Sequence, residues 1–370
     1  MMWIIRIALI PVLFLFSAAF GQAGPLPGPH RGAIPALAGD GERIISAGED
    51  GFLELWNIRE GRAEERFQTG FLPLVSMARQ PGENRVCVLE SDGFALHRVS
   101  VWDYREKTRI FALDFGDPVS YLNYSAGGRF IIIAHSGRAG LLLVDSETGE
   151  SLSAPEISGT PVFAATGRSE RFMLAYLGDG RLSYRDLETG DERETLAAPS
   201  RLSSLVLFGG NRFLAGLDGE DIVILDAVSA EVLARREAGG AFLSADPQGR
   251  EVYSLTAVSA ASGPSGNGER IYELSGWREE TGRTGSRTRR AGNFIPRKRI
   301  VLEGEDITSF LFAEGEIFFG TGGGKAGVIN ENGGVSIFAA GGRKRIIEAA
   351  VSGETLAVIT EDNELGFLPL

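Results

Sequence analysis

The chain has one cysteine, three histidines and four methionines in 370 residues, and each shortage closes off a class of chemistry. A single cysteine, Cys87, makes no internal disulfide and no thiolate metal centre. It sits in the strand-like run Arg85–Leu89 and reads as a buried, inert thiol. The three histidines, His30, His97 and His135, are scattered, and no pair has the spacing of metal ligands. There is no G-x-S-x-G elbow and no Walker A loop. Basic residues number 37 against 49 acidic ones, for a net charge of −12, so the electrostatic footprint of a nucleic-acid binder is missing. Beyond the first two dozen residues, no apolar run approaches the roughly 18 residues of a membrane span.

What is abundant is glycine, 50 residues, alongside 43% apolar residues. That is about twice the usual share of glycine. It has no three-residue period and comes with only 15 prolines, which excludes collagen. Glycine on this scale among Val, Ile, Leu and Phe predicts many short strands joined by tight turns.

Residues 1–23 predict a cleaved secretory signal peptide. Arg6 is their only charge, an apolar run extends from Ile7 to Phe20, and Gly21 and Ala23 supply small residues for cleavage after either. No cysteine stands there, so a lipoprotein is not expected. Removing the segment takes away one base and no acid, leaving 36 bases and 49 acids, net −13. The expected location is secreted or periplasmic, with no transmembrane segment in the mature chain.

A unit then recurs about every forty residues: an apolar run, a Gly/Asp turn, a second apolar run closing on Asp or Asn, a polar turn and a third run. Its first clear copy is Arg43–Asn57, and others are Phe130–Asp145, Phe172–Asp186, Phe213–Asp226, Ile317–Asn330 and Leu356–Leu368. Anchoring on the residue matching Trp56 gives Trp56, Trp102, Val144, Arg185, Leu225, Leu274, Ile329 and Leu368, with gaps of 46, 42, 41, 40, 49, 55 and 39. Four-stranded propeller blades have this period. The reading is an all-β chain, a single β-propeller over residues 33–370 with eight four-stranded blades, or seven if one copy is miscounted. Asp50-Gly51, Asp92-Gly93, Asp179-Gly180 and Asp218-Gly219 are expected to form primed hairpin turns, which need positive φ. Residues 24–32 carry Pro25, Pro27 and Pro29. They form a lead that is expected to close the ring as an edge strand alongside residues 364–368.

The run Ser46–Asn57, with Trp56 near its end, and the second ending Val101-Trp102-Asp103 resemble the WD40 repeat. The Gly-His dipeptide typical of that family is absent, which implies that its buried hydrogen-bond network is absent too. Ile222–Leu233 is more similar to a repeat of the quinoprotein-type propellers, which also run to eight blades, although their inter-blade tryptophan motif is missing. The resemblance is therefore to a divergent propeller between the two groups, and it carries over no catalytic or cofactor-binding residue.

Two insertions stand out in the sixth unit, at 259–268 and 278–296. The second leads into a cluster without an acid: Arg283, Arg287, Arg289, Arg290, Arg297, Lys298 and Arg299. It is either a solvated loop or a contact for an acidic partner or an anionic surface, since guanidinium suits carboxylate and phosphate. No cofactor, metal or catalytic residue is expected. The functional expectation is a non-catalytic, extracytoplasmic protein-interaction scaffold with an unidentified protein partner and no nucleic acid. The alternatives are a quinone-dependent dehydrogenase-like or other ligand-binding propeller, and an envelope-assembly factor that adds a strand at an open blade edge.

Overall fold

A computed structural model describes residues 30–369, except 138–139, 153–158, 168, 197–200, 210–211, 239–240, 246–250, 259–268, 279–292, 304–305, 314, 331–333 and 340–343. The described chain folds into eight antiparallel sheets and no helix. Blade 1 comprises β1 (Ala36–Gly39), β2 (Arg43–Ala47), β3 (Phe52–Asn57) and β4 (Arg62–Gln68). Blade 2 comprises β5 (Leu74–Arg79), β6 (Arg85–Ser91), β7 (His97–Asp103) and β8 (Thr108–Phe115). Blade 3 follows with β9 (Val119–Tyr124), β10 (Phe130–His135), β11 (Leu141–Asp145) and β12 (Ser151–Leu152), and blade 4 with β13 (Pro161–Thr166), β14 (Phe172–Leu177), β15 (Arg181–Asp186) and β16 (Glu192–Leu196). Blade 5 has β17 (Ser203–Phe208), β18 (Phe213–Asp218), β19 (Asp221–Asp226) and β20 (Val232–Glu237); blade 6 has β21 (Ala241–Ala245), β22 (Val252–Val258), β23 (Glu269–Arg278) and β24 (Asn293–Glu303). Blade 7 has β25 (Ile307–Ala313), β26 (Glu316–Thr321), β27 (Lys325–Ile329) and β28 (Val335–Ala339), and blade 8 has β29 (Ile346–Ser352), β30 (Thr355–Thr360) and β31 (Leu365–Pro369).

Each sheet is a meander in sequence order. The first strand of each blade lies innermost. β1 packs against β5, β5 against β9 and β9 against β13, then β17 against β21, β21 against β25 and β25 against β29, and β29 returns to β1. The result is a single eight-bladed β-propeller. All eight sequence anchors fall on third strands. Seven sheets have four strands; among the described residues the eighth has three, one fewer than the sequence implied. Of the residues expected to close the ring, 24–29 lie outside the described residues. Residues 30–33 run past the β2–β3 turn, where Ala33 O accepts the Glu49 N–H.

Burial follows position in the blade. Second strands are almost wholly buried, as in β10 and β30, because neighbouring blades cover both faces of the sheet. Fourth strands such as β4 and β20 are polar and half-exposed. That is why only three apolar runs per unit stand out in the sequence. Between blades 1 and 2, Ile45, Leu53 and Leu55 meet Leu74, Val86, Val88 and Trp102. Between blades 8 and 1, Ile44 and Trp56 meet Ala350 and Ala357.

The Asp or Asn ending the third strand in blades 1 to 5 has a mechanical role. The side-chain Oδ1 of Asn57, Asp103, Asp145, Asp186 and Asp226 accepts the N–H groups two and three residues on, at 2.9–3.2 Å. This holds the turn to the outer strand. In blades 3 to 5 an arginine before the second strand lies over its first phenylalanine: Arg129 over Phe130, Arg171 over Phe172 and Arg212 over Phe213, 4.8–5.1 Å from the ring centroids.

The Asp-Gly turns of blades 1 and 4 are not primed hairpins, whereas in blade 5 Asp218 pairs with Asp221 across a two-residue loop whose first residue, Gly219, has φ 64°, as a II′ turn requires. In blade 1 the Gly51 N–H closes on Gly48 O, and Gly51, at φ 78°, is the turn's only left-handed residue. Gly180 in blade 4 and Asn363 in blade 8 close and twist their turns in the same way. One left-handed residue after an ordinary turn also reconciles the turn with strand twist, so Asp-Gly does not separate the two geometries.

We predict that Asp226→Ala, which leaves the Val228 and Ser229 N–H groups without their acceptor, lowers stability by about 1–2 kcal/mol. Asp226→Asn should cost less than half as much. Urea denaturation of the three proteins checks this, and equal midpoints for wild type and Asp226→Ala would contradict it.

Candidate functional site

The ring has two distinct ends. One carries the inter-blade crossovers and the turns between second and third strands; the other carries the Asp and Asn turns. The crossover end is tied together by a repeated bond. A residue at or just past the end of the second strand donates to a crossover carbonyl at 2.8–3.0 Å: Glu49 to Ala33, Ser91 to Pro73, Ser136 to Pro118, Gly178 to Thr160, Gly322 to Asp306 and Glu361 to Arg345.

At this end of blade 1 lies a buried polar network. Trp56 Nε1 is 2.8 Å from Ser46 Oγ, Ser46 Oγ is 2.8 Å from His30 Nε2, and His30 Nδ1 is 2.9 Å from Asp50 Oδ1. A carboxylate only accepts, so neutral His30 donates from Nδ1 and its Nε2 accepts the Ser46 hydroxyl. Ser46 in turn accepts the indole N–H, and every proton in the chain is assigned. Asp50 also accepts the Arg31 and Phe52 N–H groups and Arg66 Nη2, the last at 2.6 Å. Arg66 reaches in from β4, covers the Phe52 ring at 3.9 Å and lies 3.4 Å from Glu54. The His30 and Glu54 side chains are fully buried. The missing Gly-His dipeptide implied that no such network existed; His30, in the proline-rich lead, builds one. The signal was the order His30, Ser46, Asp50, Trp56, in which the histidine precedes the repeat it serves.

Electrostatics divides the roles. Burial lowers the His30 pKa against the pull of Asp50 and keeps the ring neutral. Burial alone would raise Asp50, but the Arg31 N–H, His30 and Arg66 outweigh it and hold its carboxyl low. Glu54 lies 3.5 Å from His30 Nε2, and neither of its oxygens has a hydrogen bond among the described residues. Burial pushes it up to about 7, opposed by Arg66 and aided by Asp50.

Blade 2 keeps the tryptophan and rewires the rest. Trp102 donates to Ser100, Ser100 to Glu90, and Ser91 Oγ lies 2.8 Å from His97 Nδ1. The Ala33 and Pro73 bonds align His30 with Gly70. A side chain at Gly70 would collide with Glu90 Oε2, 2.0 Å from an ideal Cβ. Cys87 is fully buried, with its pKa pushed up to about 12 by burial.

Two further features are open to solvent. On the crossover end, Phe71 in the 69–73 crossover is 96% exposed, and Phe94 in the β6–β7 turn is 86% exposed. Leu96 and Val75 are also exposed. Val75 is the extra residue of a β-bulge at the start of β5, and Val162 and Ile347 occupy the same bulge in β13 and β29. Ser120 and Thr308, at the same place in β9 and β25, instead bond the first residue of the next inner strand, Pro161 O and Ile346 O. At the opposite end, a groove of about 770 Å³ opens where blade 8 meets blade 1, between Gly41, Ile58–Gly61 and Gly353–Thr355, with Phe367 beside it.

Four of the basic candidates, Arg283, Arg287, Arg289 and Arg290, lie outside the described residues. Arg297, Lys298 and Arg299 lie on β24, the outer strand of blade 6. Arg297 pairs with Glu251 at 3.2 Å. Strand β24 already begins at Asn293, inside the segment read as an insertion. Among the described residues no group of three or more His, Cys, Asp or Glu could hold a metal ion.

A family model described as an N-terminal beta-propeller domain matches residues 22–248, more than half of the chain. The chain belongs to that family. It is 28% identical over 210 residues to an uncharacterized protein of Treponema pallidum (strain Nichols), covering 57% of this chain and 34% of that protein. It is 22% identical over 156 residues to the serine-threonine kinase receptor-associated protein of Rattus norvegicus, covering 42% of this chain and 43% of that one. The chain thus spans less than half the length of these curated relatives. Among solved structures, the computationally designed Ika8 protein superposes with a TM-score of 0.62 at 16% identity, covering 92% of this chain and 97% of that one. BamB from Moraxella catarrhalis gives 0.57 at 12%, covering 90% and 96%. The beta-propeller domain of Myceliophteria thermophila Cps50 (Swd1) gives 0.54 at 10%, covering 92% and 98%. At these identities the superpositions establish the fold. The sequence recognition of a divergent WD40-like propeller holds within this family of N-terminal beta-propeller domains.

We predict a pH signature for Glu54. A carboxyl raised from 4.5 to about 7 on folding favours the fold while protonated, so its contribution falls as pH rises between those values, by at most about 1.4 kcal/mol per unit. The lowered His30 and Asp50 act oppositely: their contributions are lost as pH falls. The stability advantage of Glu54→Gln over wild type should therefore grow from pH 5 to 7 and level off above. A pH-independent difference in urea unfolding would contradict this.

Proposed function

We propose that this propeller is a non-catalytic scaffold outside the cytoplasm that holds a protein partner on the crossover face at blades 1 and 2. The observation that carries the reading is the pair Phe71 and Phe94, 96% and 86% exposed on neighbouring loops of one face. Aromatic side chains held in water on a rigid frame are the groups that anchor interfaces. Burying each contributes about 1.5–3 kcal/mol. Leu96 and the bulged Val75 extend the patch towards the centre of the ring. The loops stand on a frame whose crossovers are pinned by the repeated carbonyl bonds, so little ordering opposes docking. The apolar run Ile7–Phe20 behind Arg6 supports export, and the basic cluster from Arg283 to Arg299, which leads into β24 of blade 6 and away from this face, is a second, separate contact for acidic groups.

The expected outcome of Phe71→Ser with Phe94→Ser is at least a tenfold weaker capture of the partner that co-purifies with wild type, with unfolding unchanged. Equal capture by the double variant would refute the face assignment. N-terminal sequencing of the exported protein should begin at Gln22 or Gly24. Arg287, Arg289 and Arg290 changed together to Ser should weaken capture at low salt and leave it unaltered at high salt.

A further inference from the structure

Two exposed features of opposite chemistry stand on opposite sides of the ring. The first is the patch at blades 1 and 2, where Phe71 and Phe94 are joined by Leu96 and the bulged Val75. Its own loops carry exposed carboxylates. Glu49 is on the β2–β3 turn, which the 69–73 crossover bonds through the Thr69 and Leu74 N–H groups. Asp92 accepts the Phe94, Ala95 and Leu96 N–H groups at 2.8–3.1 Å, and these bonds hold its carboxyl below the usual carboxylate range. Asp117 follows Phe115, the partner of His97 at the top of blade 2. None of the three has an ion pair among the described residues, and Arg31 is the only exposed base on these loops. The second feature is β24, the outer strand of blade 6. Its middle carries Arg297, Lys298 and Arg299, flanked by Ile295 and Val301, 48% and 51% exposed. Arg297 pairs with Glu251, whereas Lys298 and Arg299 have no ion pair among the described residues.

We propose that these two surfaces meet between copies of this chain: β24 of one molecule docks on the crossover face of blades 1 and 2 of the next. The inference rests on the face assignment above and names a second copy as the partner. Blade 6 stands opposite blade 2 in the ring of eight, so the two surfaces cannot meet within one chain. Charge complementarity selects the pairing. The aromatic face packed on its own copy would set Glu49, Asp92 and Asp117 against the same three carboxylates. Strand β24 packed on its own copy would set cation against cation. The unlike pairing brings Lys298 and Arg299 among carboxylates that lack an ion pair, and guanidinium suits that acceptor. It also covers Phe71 and Phe94 with Ile295 and Val301. A contact between unlike surfaces leaves each copy with one free half, so association continues beyond a dimer.

Sedimentation of the purified exported chain tests this with no other protein present. Its average mass should rise with concentration and pass that of a dimer. Two variants each remove one half of the contact: Phe71→Ser with Phe94→Ser, and Lys298→Ser with Arg299→Ser and Val301→Ser. Each alone should associate at least tenfold more weakly than wild type, with unfolding unchanged. An equimolar mixture of the two should form a one-to-one complex that grows no further, because each supplies the half the other lacks. A wild type that stays monomeric at every concentration would overturn the inference, and the face assignment would still stand if the Phe71, Phe94 variant lost capture of another protein. Association lost in only one of the variants, or a mixture no larger than its components, would overturn it as well. Should either variant fail to fold, single cysteines decide, since Cys87 is buried. Phe94→Cys oxidised together with Arg299→Cys should give the mixed dimer at least tenfold over either homodimer, and a statistical mixture of the three dimers would refute the pairing.

Discussion

No blade of this ring can bury its sheet alone. Both faces of each second strand are apolar, and each finds cover only in the blades on either side. The stable object is therefore the closed ring, and closure depends on the seam between blades 8 and 1. There the Gly41 N–H donates to Ser352 Oγ and Ser352 donates to Arg43 O, both at 2.9 Å. Trp56 meets Phe367 at 5.7 Å between ring centroids. Half-buried Glu348, its pKa raised by desolvation, accepts the Leu37 N–H. These partners are about three hundred residues apart in sequence, so their closure entropy is met only when the whole ring has formed.

The two ends of the ring then have different freedom. At one end Asp and Asn side chains bind the turns to the outer strands in five successive blades. At the other, the crossover carbonyls repeat while the loops above them differ, and this is where Phe71 and Phe94 stand in water. The His30 network belongs to the same end. It clamps the first crossover to blade 1, and its neutral histidine and the raised pKa of Glu54 show how a cluster of four ionisable groups is buried around one ion pair, Asp50 with Arg66.

The architecture was legible because hydrophobic runs report burial directly. Third-strand anchors from Trp56 to Leu368 could be found even where tryptophan had become arginine or leucine, since the Asp after them marks the turn. Outer strands such as β4, with Arg62, Glu64, Glu65 and Arg66 among its residues, carry too little apolar signal to be seen. His30 was read as part of a proline-rich lead because its partners lie sixteen to twenty-six residues further on, and nothing local announces them. Glu54 carries no local mark of burial, a charged residue between Leu53 and Leu55, yet it is buried beside Arg66. The exposed Phe71 and Phe94 resemble core residues in sequence, since composition does not say which phenylalanine is left outside. The basic cluster was conspicuous, yet Arg297 proves to be paired with Glu251.

The central claim is that the first and last blades pack against each other and close one ring. A double-mutant cycle between Trp56→Leu and Phe367→Leu, read by urea unfolding, tests it most directly. Contact across the seam predicts a coupling of about 0.5–1.5 kcal/mol between residues 311 positions apart. Strict additivity would mean that the two rings do not touch and that the propeller does not close here.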